Sequence, residues 1–281
     1  MTFSSLEPSS FSDSPVSSPQ FIDTHCHFDF APFDVDREKV WQACQHQGVV
    51  RMIVPGVAPD QWSKAAQLSE RYAGIYHAAG VHPWWVDKLV QGEVSKLQLA
   101  DLREQLTFAL KVSKCIALGE CGLDGAIATP LATQQQILAV HLELAQELKK
   151  PLIIHCHKAH NELITQLKHH QLSAGGVIHA FSGSLEMAQT YHEMGFLLGI
   201  GGTITYERAK KTRNAIKHIA LDALVLESDA PDMPLQGRQG QRNSPELLPL
   251  IAQALAELRE VPVDEITRAT SVNARRLFAL A

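Results

Sequence analysis

From residue 20 onward, short apolar runs alternate with stretches whose apolar positions recur at helical spacing. The runs are QFIDTH (20–25), VVRMIVPG (49–56), GIYHAAGVH (74–82), KCIALGE (114–120), PLIIHC (151–156), GGVIHAF (175–181), GFLLGIG (195–201) and ALVLESD (223–229). They are nearly continuous in apolar residues, which predicts parallel strands buried on both faces. Amphipathic segments over 58–72, 133–150 and 184–195 predict helices between them, the last ending at a glycine cap. Eight such units in about 260 residues predict an α/β chain folded as a (β/α)8 TIM barrel over residues 20–281 rather than an open doubly wound sheet. Residues 244–280 read as helices that close the barrel.

Residues 1–19 break the pattern. The first 20 residues hold eight serines and three prolines, and the first Lys or Arg of the chain is Arg37. That predicts a flexible tail without the basic start of a signal peptide, and no apolar run reaches membrane-spanning length. The 281 residues are 45% hydrophobic and 20% charged, with a formal charge of −5, so no global attraction to nucleic acid or anionic membrane is expected. Five cysteines without a C-x-x-C pair argue against a disulfide framework and for a reducing, cytoplasmic setting. The sequence sets no oligomeric state and is compatible with a monomer.

Fourteen histidines change the picture, because several fall in one class of position. His25 and His27 end the first predicted strand, His82 the third, Glu120 the fourth, His155 the fifth, His179 the sixth and Asp229 the eighth. In a barrel the C-terminal strand ends form the active-site face. On an extended strand residues i and i+2 share a face, so His25 and His27 would present two rings to one place, with Cys26 turned away as a structural residue. A lone strand-end histidine is more often structural than a ligand, Glu120 could be a solvated turn residue, and LESDAPD could cap a helix. Chance must supply those bland explanations independently at every strand, whereas a metal site explains them together. Imidazoles with carboxylates suit Zn, Mn, Ni or Fe, and Mg less well because it favours oxygen. Four histidines and two carboxylates of this set already exceed one tetrahedral shell, so two divalent ions about 3.5–4 Å apart, sharing a carboxylate, are expected to activate water.

The motifs FIDTHCHFD, GVHP, GECGLD, PLIIHCH, IHAFSGS, GIGGTITY and LESDAPDMPL together resemble the TatD family of metal-dependent hydrolases, usually described as deoxyribonucleases, and the last two are most similar to its YjjV-like branch. The resemblance implies a binuclear site in which His25, His27 and Asp229 hold one ion, His155 and His179 the other, and Glu120 bridges. It also implies that Asp229 takes a proton from water and that His82 and Asp124 lie nearer the substrate. Family members commonly carry an arginine where this chain has His157, so the resemblance implies that phosphate grip at His157 is weaker or comes from Lys158. The stretch YERAKKTR, with Tyr206 and Arg208, and the loop bearing Arg238 and Arg242 could gather phosphates, though Lys210 and Lys211 read better as a solvated helix face. Tyr206, Trp84 and Trp85 could stack bases. Gly183, Gly195, Gly199, Gly201 and Gly202 do not have Walker or Rossmann spacing.

Three functions follow in order: a phosphoesterase acting on DNA or a small phosphodiester, with Glu120 and Asp229 carrying catalysis; an amidohydrolase-like enzyme cutting C–N or lactone bonds; and a metal-holding barrel that only binds a partner. Related amidohydrolases often bridge their ions with a lysine carbamate at the fourth strand. Here that strand ends in Glu120, with Lys114 at its other end.

Overall fold

The computed structural model describes residues 20–90 and 94–280; the expected tail over 1–19 lies outside the described residues. Eight strands run in sequence order around one sheet: β1 (Phe21–Asp23), β2 (Val49–Val54), β3 (Ile75–Ala79), β4 (Cys115–Asp124), β5 (Leu152–His157), β6 (Gly176–Ile178), β7 (Phe196–Ile200) and β8 (Leu224–Leu226). Every neighbouring pair is parallel. The Thr24 N–H donates to Leu226 O at 3.0 Å, which joins the last strand to the first and closes the barrel.

The described helices are α1 (Arg37–His46), α2 (Pro59–Arg71), α3 (Val86–Leu89), α4 (Lys96–Ala109), α5 (Leu131–Leu148), α6 (His160–Lys168), α7 (Leu185–Glu193), α8 (Lys210–His218), α9 (Leu248–Arg259) and α10 (Val263–Phe278). The three helices read from the sequence appear as α2, α5 and α7, with ends displaced by one or two residues. Local chemistry sets those ends. Proline begins α2, where its missing N–H costs nothing. Ser184 accepts the Met187 N–H at the start of α7, and Gly195 follows its end with φ +85°.

Alternation along the strands builds the interior. Ile22, Ile53, Ala78, Ala117, Ile153, Val177, Leu197 and Val225, one from each strand, form an inner apolar ring that Ala274, Phe278 and Leu280 of the C-terminal segment plug from below. The opposite strand faces pack against the helices in a larger apolar layer that takes in Cys26, Cys44 and Cys121. Because side chains repeat every second residue, positions two beyond the inner ring point up the barrel axis towards the mouth. That register places the polar site.

Candidate metal centre

His155 follows Ile153 by two residues and His179 follows Val177 by two, so both rings continue the inward face of their strands. His82 lies four residues beyond Ala78, and Glu227 and Asp229 lie two and four beyond Val225. Glu120 is off this register. A bulge between Gly119 and Cys121 shifts β4 against β5 and turns Glu120 inward, after which the strand continues to Asp124. Glu120 is thus inside a strand and 1% exposed, not a solvated turn residue.

His25 and His27 meet as expected, with their Nε2 atoms 3.3 Å apart, but not on an extended strand. β1 ends at Asp23. Beyond it the backbone is held on both sides: Cys26 N–H donates to Ile53 O, while Asp229 N–H donates to His25 O and His27 N–H to Ala230 O. Those bonds to the neighbouring strand and to the loop after β8 aim both rings at the mouth. Cys26 is fully buried in the outer layer, as a structural residue should be.

The two oxygens of Glu120 face different partners. Oε2 lies 3.2 Å from His25 Nε2 and 3.6 Å from His27 Nε2, and Asp229 Oδ1 lies 3.6 and 3.7 Å from the same two nitrogens. Oε1 lies 3.0 Å from His179 Nε2, 3.2 Å from His155 Nδ1 and 3.3 Å from His82 Nε2. Despite this crowd neither Glu120 oxygen makes a hydrogen bond among the described residues. Donors held about 2.1 Å from a shared tetrahedral cation stand about 3.4 Å apart. The spacing and the orphaned buried carboxylate therefore fit a bound divalent cation.

The electrostatics agree. Burial alone would raise Glu120, but His179, His82 and His25 outweigh it and hold the carboxyl well below its usual range. Burial lifts Asp229 to about 6 and pushes His27 well below the ordinary imidazole value. Asp229 also adopts a left-handed backbone, φ +55°, uncommon for a residue with a side chain and typical of functional turns.

A family model described as "TatD related DNase" matches residues 22–279. The chain belongs to the TatD family. It is 42% identical over 260 residues to an Escherichia coli K12 protein named "Uncharacterized metal-dependent hydrolase YjjV", covering 92% of this chain and 98% of that one. The crystal structure of that YjjV, described as a TatD homologue, aligns with a TM-score of 0.86 at 41% identity, covering 94% of this chain and 99% of that one. A protein of Erwinia amylovora named "3'-5' ssDNA/RNA exonuclease TatD" is 35% identical over 259 residues, covering 88% of this chain and 95% of that one.

Above the donors of this TatD-family barrel opens a cavity of about 530 Å³, lined by Phe30, Trp84, Trp85, His157, Thr203 and Met233 together with the site residues. Trp84 is 60% exposed and donates from Nε1 to Asp124 Oδ2 at 2.8 Å. Asp124 Oδ1 lies 3.1 Å from His157 Nδ1, so His157 is tethered at the rim. Lys158 is exposed and absent from the cavity lining, because the chain turns there with φ +52°. Thr203 and Met233 also border a second hollow of about 230 Å³ that contains Tyr206 and Arg208. Arg208 lies over the Tyr206 ring at 4.8 Å, and Tyr206 donates to Pro234 O at 2.6 Å.

Two cations of the expected phosphate set are engaged elsewhere. Arg242 forms paired 2.8 Å bonds to Asp36, and Arg213 donates to Ile204 O. Lys210 and Lys211 stand on an exposed face of α8, the bland alternative. One residue escaped the sequence reading: Glu227, fully buried, with Oε1 3.5 Å from His179 Nδ1. Its signal was the alternation Val225–Glu227–Asp229, an acid on the inward face of an apolar strand run.

Proposed function

We propose that this chain is a metal-dependent phosphodiesterase that cleaves DNA or a small phosphodiester. The observation that carries the reading is Glu120, a buried carboxylate with separate donor sets on its two oxygens, beneath a mouth with an aromatic wall and a cationic edge. His25, His27 and Asp229 would hold one divalent cation and His155 and His179 the other, with Glu120 shared. Such cations, Zn, Mn, Ni or Mg, lower the pKa of water and neutralise charge on a transferring phosphoryl group.

The chain's own groups do the rest. Asp229, whose carboxylate reaches the cavity wall, takes the proton of the attacking water. The Trp84 and Trp85 rings, stacked with centroids 6.4 Å apart, offer a surface for bases, and His157 and Arg208 face flanking phosphates. The name of the Erwinia relative supports nucleic acid as substrate. The amidohydrolase alternative gains no support from the fourth strand, since Lys114 is at its far end and donates to Ser69 O.

Purified protein loaded with Mn²⁺ should shorten single-stranded oligonucleotides. Glu120→Gln and Asp229→Asn should each lower kcat by more than about 100-fold, beyond the 10- to 100-fold carried by partners outside a metal's direct shell. Undiminished cleavage by both variants would remove this mechanism, and faster turnover of amides or lactones than of oligonucleotides would replace the substrate.

A further inference from the structure

The outward-facing ring nitrogens distinguish the two sides of Glu120. His155 Nε2 lies 3.3 Å from Asp124 Oδ2, and His179 Nδ1 lies 3.5 Å from Glu227 Oε1. Both carboxylates are buried and firmly placed. Asp124 also receives the Ala126 N–H at 2.8 Å, and its own backbone is clamped by Gln134, which takes its N–H at 2.7 Å and donates to its carbonyl at 3.0 Å. Glu227 accepts the Ala180 N–H and fits only because residue 199 is glycine: a Cβ there would lie 2.0 Å from Glu227 Oε2.

A carboxylate oxygen beside one ring nitrogen favours the tautomer whose proton sits on that nitrogen. The lone pairs of His155 and His179 are thereby fixed on Nδ1 and Nε2 respectively, the atoms nearest Glu120 Oε1. His25 and His27 have no such support: among the described residues no carboxylate lies beside their buried Nδ1 atoms, whereas His179 Nδ1, which likewise makes no hydrogen bond, has the Glu227 carboxylate at 3.5 Å. His82 is set the opposite way. Its Nδ1 accepts the Trp84 backbone N–H at 3.1 Å, so the proton is on Nε2, and the ring donates into the site instead of ligating.

Carboxylates behind metal-binding histidines orient the ring and raise its basicity, and their loss costs about 10- to 100-fold in metal affinity. We propose that Asp124 and Glu227 are positioning residues that make the Glu120 Oε1 side, with His155 and His179, the tight cation position, leaving the His25–His27–Asp229 side to bind its cation more weakly. This rests on the metal-dependent reading above. It also gives the rim a structural link to the tight ion, because Asp124 holds Trp84 and His157 as well as His155.

The test is direct binding of Mn²⁺ to chelator-stripped protein, followed by calorimetry and by the electron paramagnetic resonance of free Mn²⁺. The wild type should bind in two steps with Kd values at least about 10-fold apart. Glu227→Gln should raise the tighter Kd about 10- to 100-fold and leave the weaker within threefold; Asp229→Asn should do the reverse. Asp124→Asn acts on the same ion through a different histidine, so the proposal stays testable if Glu227→Gln fails to fold by circular dichroism. Two equal steps in the wild type, or a Glu227 or Asp124 variant that shifts only the weaker step, would overturn the proposal while leaving the metal-dependent reading intact. Absence of any Mn²⁺ binding would overturn both.

Discussion

Glu120 makes the strongest demand of any side chain in the molecule. It is 1% exposed and ionised, with neither oxygen hydrogen-bonded among the described residues, so in the absence of cations nearby imidazoles compensate its charge. Removing that charge costs the metal-free protein the attraction of those imidazoles, so we expect stripped Glu120→Gln to melt below the wild type. At Mn²⁺ about 100-fold above Kd, linkage adds about 2.7 kcal/mol, or roughly 5–10 °C for a domain of this size, to the wild type alone. Thermal melts with and without Mn²⁺ check this, and an equal gain in the variant would contradict the shared-carboxylate geometry. Six of the donors were legible as polar residues closing apolar runs. Glu227 was not, because a glutamate next to Ser228 and Asp229 reads as part of a polar turn until the inward register of Val225 is known.

At the scale of elements, the sequence conveyed the strands but not their ends. Apolar runs marked all eight, yet β1, β6 and β8 are only three residues long. The residues after them leave the ladder to aim side chains into the mouth, and no periodicity encodes that departure. The bulge in β4 was equally hidden, although Gly119 beside Glu120 is its trace. The turn after β3 also bears on function. Trp84 projects its ring into the mouth while its indole N–H is anchored on Asp124. If bases stack there, Trp84→Ala should raise KM for oligonucleotides about 5- to 150-fold, the equivalent of about 1–3 kcal/mol per base. Trp84→Phe, which keeps a ring, should raise it less. A small chromogenic phosphodiester, which has no base to stack, should show a KM changed less than threefold by Trp84→Phe. Equal losses for both substrates would assign Trp84 to packing alone.

Across the whole molecule, barrel class was readable because eight apolar runs and intervening helical segments leave few other closures. Two buried histidines away from the mouth give the folded state a pH dependence. His77, whose Nδ1 lies 2.9 Å from Ser69 Oγ, and His141, whose Nε2 accepts the Val81 N–H, are both held to about 4 by burial. The unfolded chain binds their protons near pH 6.5, so their contribution is complete above that pH and is lost as pH falls from 6.5 through 4. The loss is on the order of 3 kcal/mol per histidine. Urea midpoints should drop between pH 7 and 4.5, and less steeply in a His77→Asn/His141→Gln double variant; parallel profiles would show that these two rings do not carry the effect.

The plug formed by Ala274, Phe278 and Leu280 has a consequence for truncation. The inner ring draws on every strand from Ile22 to Val225, and these three residues floor it. A variant cut before Ala274 would leave that ring open from below and expose it to proteases and chaperones.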